Sequence, residues 1–384
     1  MPSSTPAPLL VRDQVVGNVW IVGDRIGAGT YSDVYRGIHV STGAHCALKV
    51  DKPVHRTETL QWESDLLLKL QKYPFVPRHY GLHTTPGKVK VLAMQLLGNN
   101  ISHLRSKQPA EQLPYGAVLH IVLQMLAAVE AIHQEGYIHR DLKPSNFVVG
   151  LGPAGCKQLY MLDFGQSRMY LDDKGGVRPA RPVAEFRGTS LYSSLNSHDS
   201  MDLGRRDDLW SLFYVMADLL RGGLPWRPYK TNRAACHALK LVRPAAVPRA
   251  VPLCSPPRSH LVLNHACTRA HRVQFYQTHP EELVGELPGA AQLLEIHKHL
   301  KTLSFEAAPN YSLIGSCLRT ALAESERIDA TALRYRGLFP SVCPRGSRHC
   351  GVQRACSRTL WIPKVRSDAY VAGALSVLRA RVCA

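Results

Sequence analysis

Hydrophobic positions recur at two periods along the chain, and the change falls near Gly98. Between Val19 and Val50 they form short β-rich runs broken by glycine, so residues 20–22, 34–36 and 46–50 read as strands. Residues 57–70 read as a helix, with Leu60, Leu66, Leu67 and Leu70 on one face, and 89–97 as a further strand. After Gly98 the period becomes helical. Val118, Ile121, Val122, Met125, Leu126, Val129 and Ile132 form one stripe, stopped near Gly136. Leu212, Phe213, Met216, Leu219 and Leu220 form a second over residues 208–220, and weaker patterns cover 290–303 and 309–322. These stripes are core positions before they are anything else. A small β-rich part followed by a larger helical part predicts an α+β chain of two lobes around a cleft, without internal repeats.

Composition sharpens this picture in three places. A hydrophobic fraction of 45% over 384 residues suits a sizeable core. No unbroken apolar run approaches the ~18 residues of a membrane span, and no basic-then-apolar leader opens the chain, so no membrane association is expected. Ten cysteines without Cys-x-x-Cys spacing read as free thiols in a reducing compartment, cytoplasmic with nuclear presence open. The formal charge of +18 is uneven: residues 227–279 hold nine Lys or Arg and no acid, and 338–384 hold eight and one acid. The rest of the chain is close to balance.

The strongest chemical signal is His139-Arg140-Asp141-Leu142-Lys143-Pro144-Ser145-Asn146, with sixteen residues between it and Asp163-Phe164-Gly165. Two acids and an amide so spaced suit phosphoryl transfer: Asp141 orients an attacking hydroxyl, while Asn146 and Asp163 offer hard oxygens to magnesium. Lys143 would neutralise charge on the transferring group. Residues 26–34, with Ile26, Gly27 and Gly29, lie between two strands; glycines there let backbone amides approach phosphate, though alone the segment would be an ordinary hairpin turn. Lys49 ends a strand and is placed to meet phosphates, with Glu63 as its carboxylate partner and Glu58 as the alternative. His139 and Arg140 read as scaffold, Arg140 offering a cation to an anion on the following segment. Phe164 is expected beneath the helix bearing Glu63. Asp208 either holds the backbone of the 139–146 loop, or caps a helix, or does both.

Taken together these residues resemble the eukaryotic protein kinases. More finely, the chain is similar to the casein kinase 1 group, and within it to the tau-tubulin kinases. Met94-Gln95-Leu96-Leu97-Gly98, Lys143-Pro144-Ser145-Asn146-Phe147, residues 160–165, and Ser194-Leu195-Asn196 in place of Ala-Pro-Glu carry the group resemblance. Residues 186–189, 207–214 and 224–227 carry the finer one. The resemblance is close over 18–226 and loose over 276–325. It implies a bilobal fold with an N-lobe (18–97) and a C-lobe (98–226 and 276–325). It also implies ATP with magnesium, and protein substrates bearing Ser or Thr hydroxyls, with a cytoskeletal protein suggested by the family name. A monomer is expected. By the same resemblance Met94 is the gatekeeper, and backbone groups of Gln95 and Leu97 hold adenine. Val34 and Ala47 lie above its ring and Val148 below.

Four departures stand out. Ser32 replaces a loop glycine, Gln166 follows Asp-Phe-Gly where leucine is usual, and Leu191 stands where the group has an anion-binding arginine. The fourth is residues 227–275, a basic low-complexity stretch open to three readings: a disordered insert, a mispredicted coding segment, or an arm for nucleic acid or an acidic partner. Nucleic acid as its partner is disfavoured, because charge alone carries the idea. Its cysteines and histidines, Cys236, His237, Cys254, His260, His265, Cys267 and His271, fit no zinc spacing. Residues 1–17 and 326–384 are expected to be poorly ordered. A kinase-fold scaffold without turnover is the competing reading of the whole.

Overall fold

The computed structural model describes residues 9–29, 32–52, 59–241 and 279–328. Six strands build an antiparallel sheet: β1 (Val15–Val16), β2 (Trp20–Ala28), β3 (Ser32–His39), β4 (His45–Asp51), β5 (His79–Thr84) and β6 (Lys90–Gln95), in the order β1-β2-β3-β4-β6-β5. The alternation of β4 divides its side chains between two apolar clusters, as the period of two requires. Cys46, Leu48 and Val50 join Val16, Trp20, Val22, Val91 and Ala93 on one face. Ala47 joins Leu60, Leu67, Leu92 and Met94 on the other. Against this second face lies helix α1 (Thr59–Lys69), which buries Leu60, Glu63, Ser64, Leu66 and Leu67.

The rest of the fold is mainly helical. The helices are α2 (Ile101–Ser106), α3 (Tyr115–Gln134), α4 (Gly152–Gly155), α5 (Leu195–His198), α6 (Arg205–Arg221), α7 (Arg233–Leu241), α8 (Glu281–Val284), α9 (Ala290–Thr302) and α10 (Tyr311–Ile328). Both strong stripes form as expected, in α3 and α6, and both are core. By length and composition α3 could cross a bilayer, but it is a core helix that packs against α6 and α10. Two short antiparallel pairs bracket the 139–146 loop: β7 (Tyr137–Ile138) with β10 (Arg168–Met169), and β8 (Phe147–Val149) with β9 (Leu159–Met161).

Three expectations change in detail. Residues 9–17 are packed rather than loose: Leu10 is buried, the Leu9 amide donates to the Tyr35 hydroxyl (3.1 Å), and β1 pairs with β2. The stretch from 227 begins as structure, with a 3-10 turn at Arg227–Tyr229 and then α7, which buries Cys236, Leu239 and Lys240. Helix α10 runs on to Ile328, past the expected edge of the C-terminal tail. Residues 242–275 and 338–384, Glu58, and the remaining cysteines and histidines considered for zinc lie outside the described residues.

Candidate active site

Register places Lys49 of β4 opposite Val34 of β3 and Leu92 of β6, with its side chain turned under the sheet toward α1. Its Nζ donates to Glu63 Oε1 (2.8 Å) and Oε2 (2.6 Å) and to Asp163 Oδ1 (2.9 Å). Burial alone would depress the Lys49 ammonium, but the carboxylates of Asp163 and Glu63 outweigh it and hold the pKa above its ordinary value. Lys49 in turn holds the Asp163 carboxyl down to about 2. Burial pushes Glu63 up, and Lys49 opposes that. One ammonium is thus shared between two lobes, because Glu63 comes from α1 and Asp163 from the segment after β9.

Asp141 is buried, and both its oxygens are engaged. Oδ1 accepts from the Thr189 hydroxyl (2.7 Å), and Oδ2 from Lys143 Nζ (2.6 Å) and Gln166 Nε2 (3.3 Å). Asn146 donates Nδ2 to the Asp141 carbonyl (3.0 Å), a bond that does not use its amide oxygen. With the ionised Asp163, that oxygen makes a hard donor pair suited to magnesium.

Asp208 explains why the loop holds this shape. Its carboxylate accepts from the amides of His139 (2.6 Å) and Arg140 (2.8 Å) and from His133 Nε2 (2.9 Å). Burial would raise the Asp208 carboxyl, but the hydrogen bond from His133, with the amides, holds it below its ordinary range. Burial lowers the His133 pKa, and its Nδ1 lies 2.6 Å from the Tyr311 hydroxyl. Of the two readings open for Asp208, support of the loop is the one realised. Phe164 is buried against α1 and the His139 ring, as expected.

The residues expected around an adenine differ in exposure. Ala47, Met94 and Val148 are buried, Val34 is half-buried, and Ile26 on β2 is largely exposed. Gln95 donates its amide to the Arg78 carbonyl (2.8 Å) and pairs with Cys46 of β4. Gly27 lies across from Val34, and the Gly29 amide closes the hairpin onto the Ser32 carbonyl (2.8 Å), so Ser32 is accommodated there. Lys52 donates to the Gly29 carbonyl (2.6 Å).

Several contributors were not legible beforehand. Neither Thr189 nor Gln166 lies in a string whose chemistry marks it from sequence. Gln166 links the site to the following segment: besides Asp141, it accepts the Gly188 amide at Oε1 (3.1 Å), and its carbonyl accepts Arg140 Nε (2.6 Å). Arg140 therefore meets a carbonyl, in a cavity of about 320 Å³ that it lines with Arg168, Arg181, Arg187 and Glu185.

The protein kinase domain family matches residues 20–280. The chain belongs to that family. Its sheet of six strands over a helical body is the bilobal kinase fold, with Lys49, Glu63, Asp141, Asn146 and Asp163 at the junction. A probable serine/threonine-protein kinase of Dictyostelium discoideum is 36% identical over 317 residues, covering 81% of this chain. The chain spans 56% of that relative's length.

Proposed function

We propose that this chain is a serine/threonine protein kinase moving the γ-phosphoryl of ATP to a protein hydroxyl. The observation that carries the reading is the Asp141 carboxylate, fixed by Thr189 on one oxygen and Lys143 on the other, in a chain whose Lys49 also joins Glu63 to Asp163. Asp141 orients the substrate hydroxyl and takes its proton as oxygen bonds to the γ-phosphorus. The bond from that phosphorus to the bridging oxygen breaks, and its electron pair leaves with ADP. Lys143 stands 2.6 Å from Asp141, close enough to neutralise charge on the group in transit. Asp163 and Asn146 are the residues that would hold magnesium, which supplies positive charge to the phosphates when bound. Lys49, held by Glu63, meets the phosphates further back.

Membership of the casein kinase 1 group, near the tau-tubulin kinases, is part of the proposal. Ser194-Leu195-Asn196 supports it. Ser194 Oγ and Asn196 Nδ2 both donate to Asp207 Oδ1 (2.7 and 2.8 Å), so a polar cluster secures this segment. Leu191 is buried and brings no cation to the surface, so the reading favours substrates chosen without the acidic preference of that group. Substrate proteins of the cytoskeleton, a monomeric state, and a cytoplasmic and nuclear location complete it.

Asp141→Asn and Lys49→Met are expected to reduce phosphate transfer to casein by at least a hundredfold, with an unchanged circular dichroism spectrum. Full-rate transfer by purified Asp141→Asn would overturn the assignment.

A further inference from the structure

Lys240 of α7 is 1% exposed, and among the described residues no carboxylate lies within ion-pair distance of it. A buried ammonium without an acid is disfavoured unless dipoles replace the lost water. Here carbonyls and rings do so. Nζ donates to the carbonyls of Ser190 (2.8 Å) and Ser193 (2.7 Å) and lies 3.1 Å from His198 Nε2. The rings of Tyr214 and Trp226 lie 5.2 and 5.4 Å away. Trp226 adds a third donor to the same turn, from Nε1 to the Leu191 carbonyl (2.8 Å). Three of the four carbonyls between residues 190 and 193 are thus held by side chains from beyond α6.

That turn leads straight into the site. The Thr189 carbonyl accepts the amides of Tyr192 and Ser193 (2.9 Å each), so Thr189 is its first residue. The Thr189 hydroxyl is the one bonded to Asp141 Oδ1. Exposure changes at the same place: residues 187–190 are exposed or half-exposed, while Leu191, Tyr192, Ser193, Ser194 and Leu195 are buried. The exposed part, next to Asp141 through Thr189, is open to a polypeptide, and Lys240 holds its last residue through the Ser190 carbonyl.

We propose that Lys240 is a positioning residue for the protein substrate, holding the 189–193 turn and, through Thr189, the Asp141 carboxylate. The proposal rests on the kinase reading for its substrate but not for its geometry. Burial lowers the Lys240 pKa to about 7, which accords with an ammonium met by dipoles rather than by an acid. The ammonium also contributes what the side chain of Leu191 lacks, a cation on this turn, but turned inward, where it shapes the backbone instead of touching an anion.

The test uses the full chain with Lys240→Met, which keeps the volume and removes the donor, and Lys240→Gln, which keeps one donor. Steady-state kinetics with casein as acceptor should show a tenfold or larger rise in KM for casein in Lys240→Met, a KM for ATP within twofold of wild type, and partial recovery in Lys240→Gln. Amide hydrogen exchange at Tyr192 and Ser193 should quicken at least tenfold in Lys240→Met, whether or not casein proves a substrate. Unchanged exchange at those amides overturns the proposal. So does a parallel rise of both KM values with a fallen unfolding midpoint, which marks Lys240 as structural only. If Lys240→Met does not fold, the same two measurements on Lys240→Gln decide. A wild-type chain without turnover removes the kinase reading, and the exchange experiment then still decides the role of Lys240 in the turn.

Discussion

Arg140 and Asp163 both hold left-handed backbones, with φ of 68° and 67°. For residues other than glycine this conformation costs about 1–2 kcal/mol each. It persists because neighbours over-determine it: Asp208 grips the Arg140 amide, and Lys49 grips the Asp163 side chain. Asp208→Ala strands two backbone amides and the His133 ring at once. We expect it to lose roughly 2–5 kcal/mol of stability in urea unfolding, and most turnover with it. Gly188 shows the same dependence from the other side. Its φ is +97°, and a Cβ there would stand 2.6 Å from the Arg140 carbonyl oxygen. Gly188→Ala should therefore displace the loop, and kcat should fall more than tenfold. A variant with wild-type kcat would show that the loop tolerates the shift. The motif residues were legible at this scale because their chemistry is local to short strings. The partners Thr189 and Gln166 were not, because hydrogen bonds to Asp141 across 48 and 25 positions leave no periodic trace.

The segment between β10 and α5 is clamped as an element by Asp202. That carboxylate accepts from Arg168 (2.7 Å), from the Arg181 side chain (2.8 Å) and from the Arg181 amide (3.0 Å). Burial would raise the Asp202 carboxyl, but the bonds from Arg181 and then Arg168 outweigh it, so its pKa lies below the ordinary 3.8. A carboxyl lowered by folding contributes stability that is complete above its unfolded value and lost as pH falls through the folded one. Wild type should therefore lose more stability than Asp202→Asn between pH 6 and pH 3, as read from urea midpoints. Equal losses would show that the clamp is energetically idle. The reading of elements from sequence was soundest for α3 and α6, where many apolar residues repeat at one period. It missed β5, whose Tyr80 and Thr84 are exposed and whose other residues are only half-buried. It missed α7 for a different reason. Cys236, Leu239 and Lys240 fall at helical spacing, but a stretch without acids has the composition of an unfolded one.

Across the whole molecule, the lobes meet where Lys49 spans Glu63 and Asp163, so a ligand bridging them should stabilise the entire fold. ATP with magnesium at a hundredfold excess over its Kd should add about 2.7 kcal/mol, seen as a raised Tm. Asp163→Ala is expected to lose the magnesium-dependent part of that shift. A shift identical with and without magnesium in wild type would remove Asp163 and Asn146 as the metal pair. Net charge also has to be reread at this scale. Arg227 pairs with the fully buried Asp218 (2.9 Å), Arg233 stacks on Phe186 (4.3 Å), and Lys240 is internal. Part of the positive excess after residue 226 is therefore engaged within the fold, and of these three cations Lys240 is the buried one.

The order of the chain by itself determined the two lobes, the core stripes, and which side chains could carry phosphoryl chemistry, because period and residue type are local properties. Tertiary structure alone decided that Lys49 serves two acids, that Asp208 holds a strained loop, and that an apparently featureless basic segment supplies the buried amine beneath Thr189. Each of those depends on desolvated contacts between residues far apart in sequence. Their strength comes from the exclusion of water, which exists only once the fold has closed.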